Sequence, residues 1–137
     1  MKVKRTKHDD IFSKVIRERD EYTCQRCKRT ADTTKIECSH FFSRRHQATR
    51  YDPDNACAHC FTCHQYLGEN PILFQSWIRS YLGDVRYSEL VEKHYRTKKW
   101  LKAEKEEMYQ HYREQLKELE LQRAEGAVGQ LSLVAFE

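Results

Sequence analysis

Residues 55–64 concentrate side chains that can bind metal or move protons, in the order Asn-Ala-Cys-Ala-His-Cys-Phe-Thr-Cys-His. Within this stretch two cysteines are separated by two residues, and a histidine follows the second one directly. The same Cys-x2-Cys spacing occurs once upstream. Two such pairs, separated by a hairpin-sized segment, are typical of a structural zinc site with four thiolate ligands. The spacing therefore predicts a closed zinc site formed by Cys24, Cys27, Cys60 and Cys63.

Two further cysteines leave an alternative open. Cys57 lies three residues before Cys60, again with a Cys-x2-Cys spacing, and could in principle replace it as a ligand. We favour Cys60 because Cys57 and Cys38 occupy positions where apolar residues are expected, and a buried thiol behaves as a small hydrophobe. Disulfides are the other interpretation. No apolar segment follows the basic first residues, so a secretory signal is not indicated, and we expect reduced cysteines in a reducing cytoplasm.

The chemistry-bearing residues have the order of a known nuclease motif. A histidine in a predicted strand, followed by Asn-x4-Cys-x2-Cys-His, resembles the HNH (ββα-metal) nucleases over about residues 9–68, with His40, Asn55 and His64 at the three named positions. Three stretches of the sequence are similar to the phage NinG (Rap) recombination proteins. They read Ser-His-Phe, Arg-Tyr-Asp-Pro-Asp-Asn and Cys-His-Gln-Tyr-Leu-Gly-Glu-Asn-Pro. Those lambdoid-phage proteins are associated with cleavage of Holliday junctions and related branched DNA. The zinc layout is also similar to phage endonuclease VII resolvases.

The resemblance implies a role for each residue of the motif. Hydrolysis of a phosphodiester needs an activated water, charge neutralisation at phosphorus and help for the leaving oxygen. His40 would be the general base, and His64 would be a ligand to a catalytic Mg²⁺ or Mn²⁺ ion. Asn55 would form hydrogen bonds within the loop and help to fix the His40 ring.

One position departs from the HNH pattern. Many of these nucleases have an aspartate directly before the base histidine as a second metal ligand, whereas this chain has Ser39. Glu37 lies two residues earlier, so in a strand it shares the face of Ser39 and is opposite to His40. We hypothesise that Glu37 binds the catalytic ion directly or through water.

Each of these residues also has a simpler interpretation. His40 can be an ordinary strand histidine, Asn55 a turn residue, and His64 a solvent-facing helix residue. The first 50 residues contain fourteen Lys and Arg against seven Asp and Glu, which favours a polyanion-binding face. Within it, Arg44, Arg45 and Arg50 are candidate phosphate contacts, or they only make a loop soluble. His46 has no assigned role, and His59 is an alternative metal neighbour.

The elements that must position these residues predict an α+β fold. A zinc-stapled ββα-metal core is followed by a largely α-helical C-terminal half. Asp9 or Asp10 is expected to cap a helix that ends near Arg19. Further expectations are a strand over 35–42, a short helix from the second cysteine pair to Gly68, a helix over 71–82, and another capped by Asp84 and containing Trp100. The expected units are 1–68 for the core, 69–97 for supporting helices, 98–125 for one long charged helix and 126–137 for a tail that is an edge strand or disordered.

Together these features predict a metal-dependent DNA endonuclease that acts on branched DNA in phage recombination. Its cofactors would be structural Zn²⁺ and catalytic Mg²⁺ or Mn²⁺, with no small-molecule cofactor and no membrane partner. A homodimer is expected because symmetrical cutting of a junction needs two sites, and the long helix is the candidate for dimerisation. The alternatives are an HNH endonuclease that nicks or cuts duplex DNA without junction preference, and a non-catalytic zinc-finger DNA-binding protein.

Overall fold

Five α-helices and one antiparallel β-hairpin form the fold, in a computed structural model that describes residues 3–137. This composition confirms the α+β class. The first two residues of the predicted 1–68 unit lie outside the described residues. In chain order the elements are α1 (Lys7–Arg19), β1 (Ile36–His40), a 3-10 turn (Pro53–Asn55), β2 (Ala56–Cys60), α2 (Phe61–Glu69), α3 (Pro71–Leu82), α4 (Asp84–His94) and α5 (Lys102–Ala124).

The hairpin brings the two halves of the motif side by side. Its antiparallel register pairs Glu37 with His59 and His40 with Ala56. β1 is shorter than the predicted 35–42 strand, and Phe41 and the next residue already belong to the following loop. All five residues of β2 are buried. The sequence does not indicate β2 as a strand, because a short run that is buried on both faces has no alternating pattern.

Helix α1 lies against the hairpin and begins earlier than expected. Thr6, not Asp9 or Asp10, is the N-cap, and Asp9 is the third helical residue in a capping box. The Asp9 carboxylate accepts a hydrogen bond of 2.8 Å from the Thr6 backbone N–H. The predicted apolar face is confirmed, since Ile11, Phe12 and their neighbours one turn later are buried.

The C-terminal half completes the core around α1. Met108, Tyr112 and Leu119 of α5 are buried in the same cluster as α1 residues. The apolar side of α5 is therefore used inside the chain, which argues against its use for dimerisation. The last residues dock there as well, since Leu131 donates its N–H to the Arg19 carbonyl at 2.9 Å and Phe136 packs on the same cluster. The tail is thus an ordered extended segment, and neither predicted alternative, an edge strand or disorder, is correct.

Helices α2, α3 and α4 form a second cluster on the other side of the hairpin, which contains Leu67, Phe74, Ile78, Leu82 and Leu90. α3 has the predicted bounds. Gly83 ends it with a φ of +84°, a left-handed conformation that glycine adopts without strain. α4 ends at His94, so Trp100, which had been expected in this helix, lies outside it and packs against Tyr51 with 5.4 Å between ring centroids. None of the described helices is long and apolar enough to cross a membrane.

A buried ion pair at the end of α1 fixes the start of β2. Arg19 Nε and Asp20 Oδ1 are 2.9 Å apart, and both side chains are almost fully buried. The Arg19 guanidinium also donates to the carbonyls of Pro53 and Ala56, each at 2.9 Å. Asp20 in turn accepts the Ala58 N–H at 2.9 Å. These bonds satisfy charges that would otherwise be costly to bury and hold the second strand in place.

Candidate functional site

The four predicted zinc ligands lie together. The Sγ atoms of Cys24, Cys27, Cys60 and Cys63 are all within 4.8 Å of one another, and no other group of this kind occurs in the described part of the chain. The Cys27 and Cys60 sulfurs are 3.7 Å apart. A tetrahedral Zn²⁺ with Zn–S bonds of about 2.3 Å separates its sulfurs by about 3.8 Å. The four thiolates therefore fit one closed zinc site with no open position for a substrate.

Backbone geometry directs the sulfurs toward one point. In each pair the second cysteine donates its N–H to the Sγ of the first at 3.4 Å, as seen for Cys27 to Cys24 and for Cys63 to Cys60. Lys28 adopts a left-handed φ of +66° directly after the first pair, which turns the chain back. Burial acts to raise the pKa of Cys24, but backbone N–H groups outweigh it and lower that pKa to about 7. The thiolate form of Cys24 is therefore favoured, whereas burial raises the pKa of Cys63 to about 12 and raises that of Cys27.

The two remaining cysteines stay outside the zinc cluster. Cys57 is buried with its Sγ against the His59 ring, 3.5 Å from Nε2, so it does not replace Cys60. Burial raises the pKa of Cys38 to about 12 and that of Cys57 well above its usual range. Both are neutral thiols that fill space, as the apolar interpretation predicted.

Asn55 holds together two points of the loop that follows His40, at Phe42 and at Thr49. It is fully buried, and its side chain donates to the carbonyls of Phe42 at 2.9 Å and Thr49 at 3.2 Å. Its Oδ1 accepts the Phe42 N–H at 2.8 Å, and its carbonyl accepts the Phe41 N–H at 2.9 Å. The expected bonds within the loop are therefore present, and they go to backbone, not to the His40 ring.

His40 lies at the end of β1 with its ring turned toward α1. The ring centroid is 5.8 Å from that of Phe12, and the ring is half-buried. Burial lowers the pKa of His40 to about 4, and the positive charges of Arg44 and His64 add to the effect. A hydrogen bond with the Arg50 backbone acts in the opposite direction. His40 is thus a neutral imidazole at physiological pH.

Glu37 of β1 and His64 of α2 face each other. Glu37 Oε1 is 2.9 Å from His64 Nδ1, and the two side chains are 25% and 38% exposed. This contact joins the first strand to the helix that begins with the zinc cysteines. Ser39, by contrast, is fully buried, and its hydroxyl has no hydrogen-bond partner among residues 3–137. An ion at this site would therefore meet Glu37 and His64, and not the residue that replaces the usual aspartate.

The three candidate arginines have different surroundings. Arg50 is buried and binds the Asp9 carboxylate through two hydrogen bonds of 3.0 and 2.7 Å, so we remove it from the set of phosphate contacts. Arg44 lies 3.4 Å from the same carboxylate but keeps 27% of its side chain exposed. Arg45 is exposed in the same loop. The sequence does not indicate the Arg50–Asp9 pair, because the two residues are 41 positions apart.

The other histidines have positions that the sequence did not indicate. His59, considered as a metal neighbour, is a core residue with its ring 4.8 Å from that of Trp77. Burial lowers its pKa to about 4. His94 of α4 stacks on Phe42 at 3.7 Å between ring centroids, and His46 is 4.3 Å from His94. The sequence gives no local signal for this contact, because Phe42 and His94 are far apart in the chain.

The geometry defines a small α+β protein with a four-cysteine cluster that fits zinc and a hairpin that carries a histidine and a carboxylate. Comparison with protein families gives a match to NinG, described as Bacteriophage Lambda NinG protein, over residues 3–122. The chain belongs to this family, which places it among phage recombination proteins. No curated protein and no solved structure matches it.

Proposed function

We propose that the protein is a metal-dependent DNA endonuclease of the HNH type that cuts branched DNA. The observation that carries the proposal is the Glu37–His64 contact of 2.9 Å, on the same hairpin as His40 and directly beside the zinc cysteines. The two histidines belong to elements that pack together, since His40 ends β1 and His64 lies in α2, which contacts β1. A carboxylate, an imidazole and a neutral histidine are the donor set that this hydrolysis requires.

The Glu37–His64 pair suits a divalent ion. Mg²⁺ is commonly held by one or two carboxylates together with waters and substrate phosphate, and Mn²⁺ also accepts imidazole. Both side chains are partly exposed, and the ion would replace their mutual hydrogen bond. When bound, it would polarise the phosphodiester and neutralise the charge that develops on phosphorus.

His40 would take the proton from the attacking water. With its pKa lowered to about 4, the ring has a free nitrogen lone pair at pH 7. A base of low pKa gives less driving force for proton transfer than one near 7, but it is always in the accepting state. Asn55 would keep the ring in position indirectly, by bonding the backbone of the loop that follows His40, at Phe42 and Thr49.

The substrate class is supported by charge and family. The basic first 50 residues provide a surface for a polyanion, and the family belongs to phage recombination, in which four-way junctions arise. Symmetrical cutting of a junction needs two active sites, so we expect a homodimer whose interface is not the buried side of α5.

The test compares cleavage of a synthetic four-way junction with cleavage of a duplex of the same sequence, with and without Mg²⁺ or Mn²⁺. We expect metal-dependent cutting that is faster on the junction, a loss of about 10² to 10⁴-fold in His40→Ala, and a large loss in Glu37→Gln. Glu107→Gln, an exposed carboxylate on α5, is the matched control. Equal rates on both substrates would favour a duplex endonuclease without junction preference.

One observation favours a non-catalytic alternative. Glu37 and His64 already satisfy each other, and Ser39 replaces the aspartate of many HNH sites. A zinc-dependent DNA-binding protein would retain zinc and bind DNA, yet show no cleavage that His40→Ala abolishes. That outcome would refute the endonuclease proposal.

A further inference from the structure

The segment between α4 and α5 combines cations with aromatic rings. Residues 93–100 read Lys-His-Tyr-Arg-Thr-Lys-Lys-Trp, which includes four Lys and Arg and no Asp or Glu. We call this the basic-aromatic segment. Cations interleaved with aromatic rings are the composition with which proteins bind unpaired nucleic acid, since the cations meet phosphates and the rings stack on bases.

Two contacts hold the basic-aromatic segment against the loop that follows His40. At its start, His94 stacks on Phe42 with 3.7 Å between ring centroids and an interplanar angle of 6°. At its end, Trp100 donates its indole N–H to the Gln47 carbonyl at 3.0 Å. Phe42 is itself bonded through its backbone to Asn55. The segment is therefore fixed relative to the hairpin that carries the proposed catalytic residues.

Tyr95 lies in the middle of this segment with its ring directed to solvent. Its exposed fraction is 80%, and its ring contact is with His94 at 4.9 Å. A large ring in water gains little within the folded chain, but it offers a face on which a base can stack. Exposed single apolar residues are common, so the argument depends on its cationic neighbours and on its place beside the loop.

The cations of the segment border a cavity of about 460 Å³. Its lining includes Lys93, Arg96, Lys98 and Trp100. Arg96 pairs with Glu92 at 3.4 Å, but both side chains are more than 60% exposed, and such surface pairs contribute little. Lys99 is exposed, with no carboxylate in ion-pair distance in the described chain. Lys93 pairs with Asp52 at 3.0 Å and Lys98 with Glu104 at 2.6 Å, and the lining of the cavity also includes Glu104 and Glu137. Arg96 and Lys99 are therefore the cations of the segment for which phosphates can compete, beside a cavity that has the size of a ligand site.

We infer that the basic-aromatic segment binds the DNA strand next to the cut, and that Tyr95 stacks on a base left unpaired at a branch. This inference rests on the proposed function and deepens it, since it names the feature of branched DNA that the chain recognises. Lys99 and the other cations contribute affinity for any DNA backbone, whereas Tyr95 contributes preference for unpaired bases.

The test measures binding by fluorescence anisotropy with no divalent ion added, using two labelled probes. One is a forked DNA with unpaired arms, and the other is a blunt duplex of the same length. Tyr95→Ala should weaken fork binding about tenfold and leave duplex binding within about twofold. Tyr95→Phe keeps the ring and should bind the fork like the wild type.

A lysine variant separates charge from stacking. Lys99→Ala should weaken binding to both probes by the same factor and reduce the salt slope by about one. Lys117→Ala is the matched control, because it removes an exposed lysine about 22 Å along α5 from its start.

Two results would overturn the inference. They are unchanged fork binding by Tyr95→Ala, and an equal loss on fork and duplex. Circular dichroism of each variant establishes that it is folded. Because binding is measured without cleavage, a chain that shows this pattern but never cuts DNA would refute the endonuclease proposal and leave the stacking site in place.

Discussion

Replacing Asn55 by alanine should destabilise the fold and displace the loop after His40. The wild-type side chain makes three hydrogen bonds, at 2.8, 2.9 and 3.2 Å, in a fully buried position. Each contributes about 0.5–1.5 kcal/mol net, and the N–H of Phe42 and two carbonyls are left without partners in the variant. We expect the free energy of unfolding to fall by about 4 kcal/mol, a large part of the 5–15 kcal/mol typical of a small domain.

Urea denaturation followed by circular dichroism measures this loss, with equal slopes required for the comparison. Asn55→Asp is the informative partner variant: it keeps the acceptor for the Phe42 N–H but cannot donate to the carbonyls of Phe42 and Thr49 when ionised. It should be at least as unstable as Asn55→Ala at pH 7. Asn70→Ala is the control, since that exposed side chain makes a single bond to the Tyr66 carbonyl, and it should cost less than about 1 kcal/mol. A decrease in the free energy of unfolding below about 1 kcal/mol in Asn55→Ala would show that the Asn55 hydrogen bonds do not hold this loop in place.

Three further predictions concern the metal, the core and pH. Cys27 is the exposed member of the four-cysteine cluster, so Cys27→Ser should lose zinc in elemental analysis and destabilise the fold by several kcal/mol; zinc retained at one equivalent would contradict this assignment. Asp9→Ala leaves the buried Arg50 without its carboxylate partner, so the free energy of unfolding measured by thermal unfolding should fall by about 3 to 5 kcal/mol. Glu106→Ala breaks only an exposed pair with Lys7 and should lower it by less than about 1 kcal/mol. The pKa of His40 is lowered from 6.5 to about 4, so the unfolded chain binds the proton first as the pH falls, and stability is lost between these values. The decrease in the free energy of unfolding from pH 7 to pH 5 should be smaller in His40→Gln than in the wild type, by at most about 2 kcal/mol. An identical pH profile of stability for the two proteins would show that the His40 ring titrates normally.

The long C-terminal helix illustrates how far local sequence reaches. A charge-dense run without Gly or Pro is sufficient to predict a helix, because propensity acts through each residue's own backbone. Its interrupted apolar positions could not tell a dimer seam from an internal contact, since either one buries the same side chains. The position of Met108 and Tyr112 against α1 decides it in favour of the internal contact.

The charged residues show the same limit. Asp9 and Arg50 are unremarkable in the sequence, one in a helix start and one in a basic loop. Their side chains meet in the core only because the hairpin and α1 pack together. Arg50 was therefore assigned to the DNA surface on composition alone, and the buried pairing corrects that assignment.

By itself the sequence predicted the four-cysteine cluster, since two Cys-x2-Cys pairs constrain their sulfurs within a few residues each, and it indicated the resemblance of His40, Asn55 and His64 to a nuclease motif. It also determined the helices whose apolar spacing is regular, such as α1 and α3. The tertiary structure alone decided that Glu37 meets His64, that Asn55 bonds to the Phe42 backbone in the loop after His40, and that the basic-aromatic segment lies against the same loop. The physical reason is distance along the chain: ligand spacing and helix periodicity are local, whereas these contacts join residues 13 to 53 positions apart that only packing brings together.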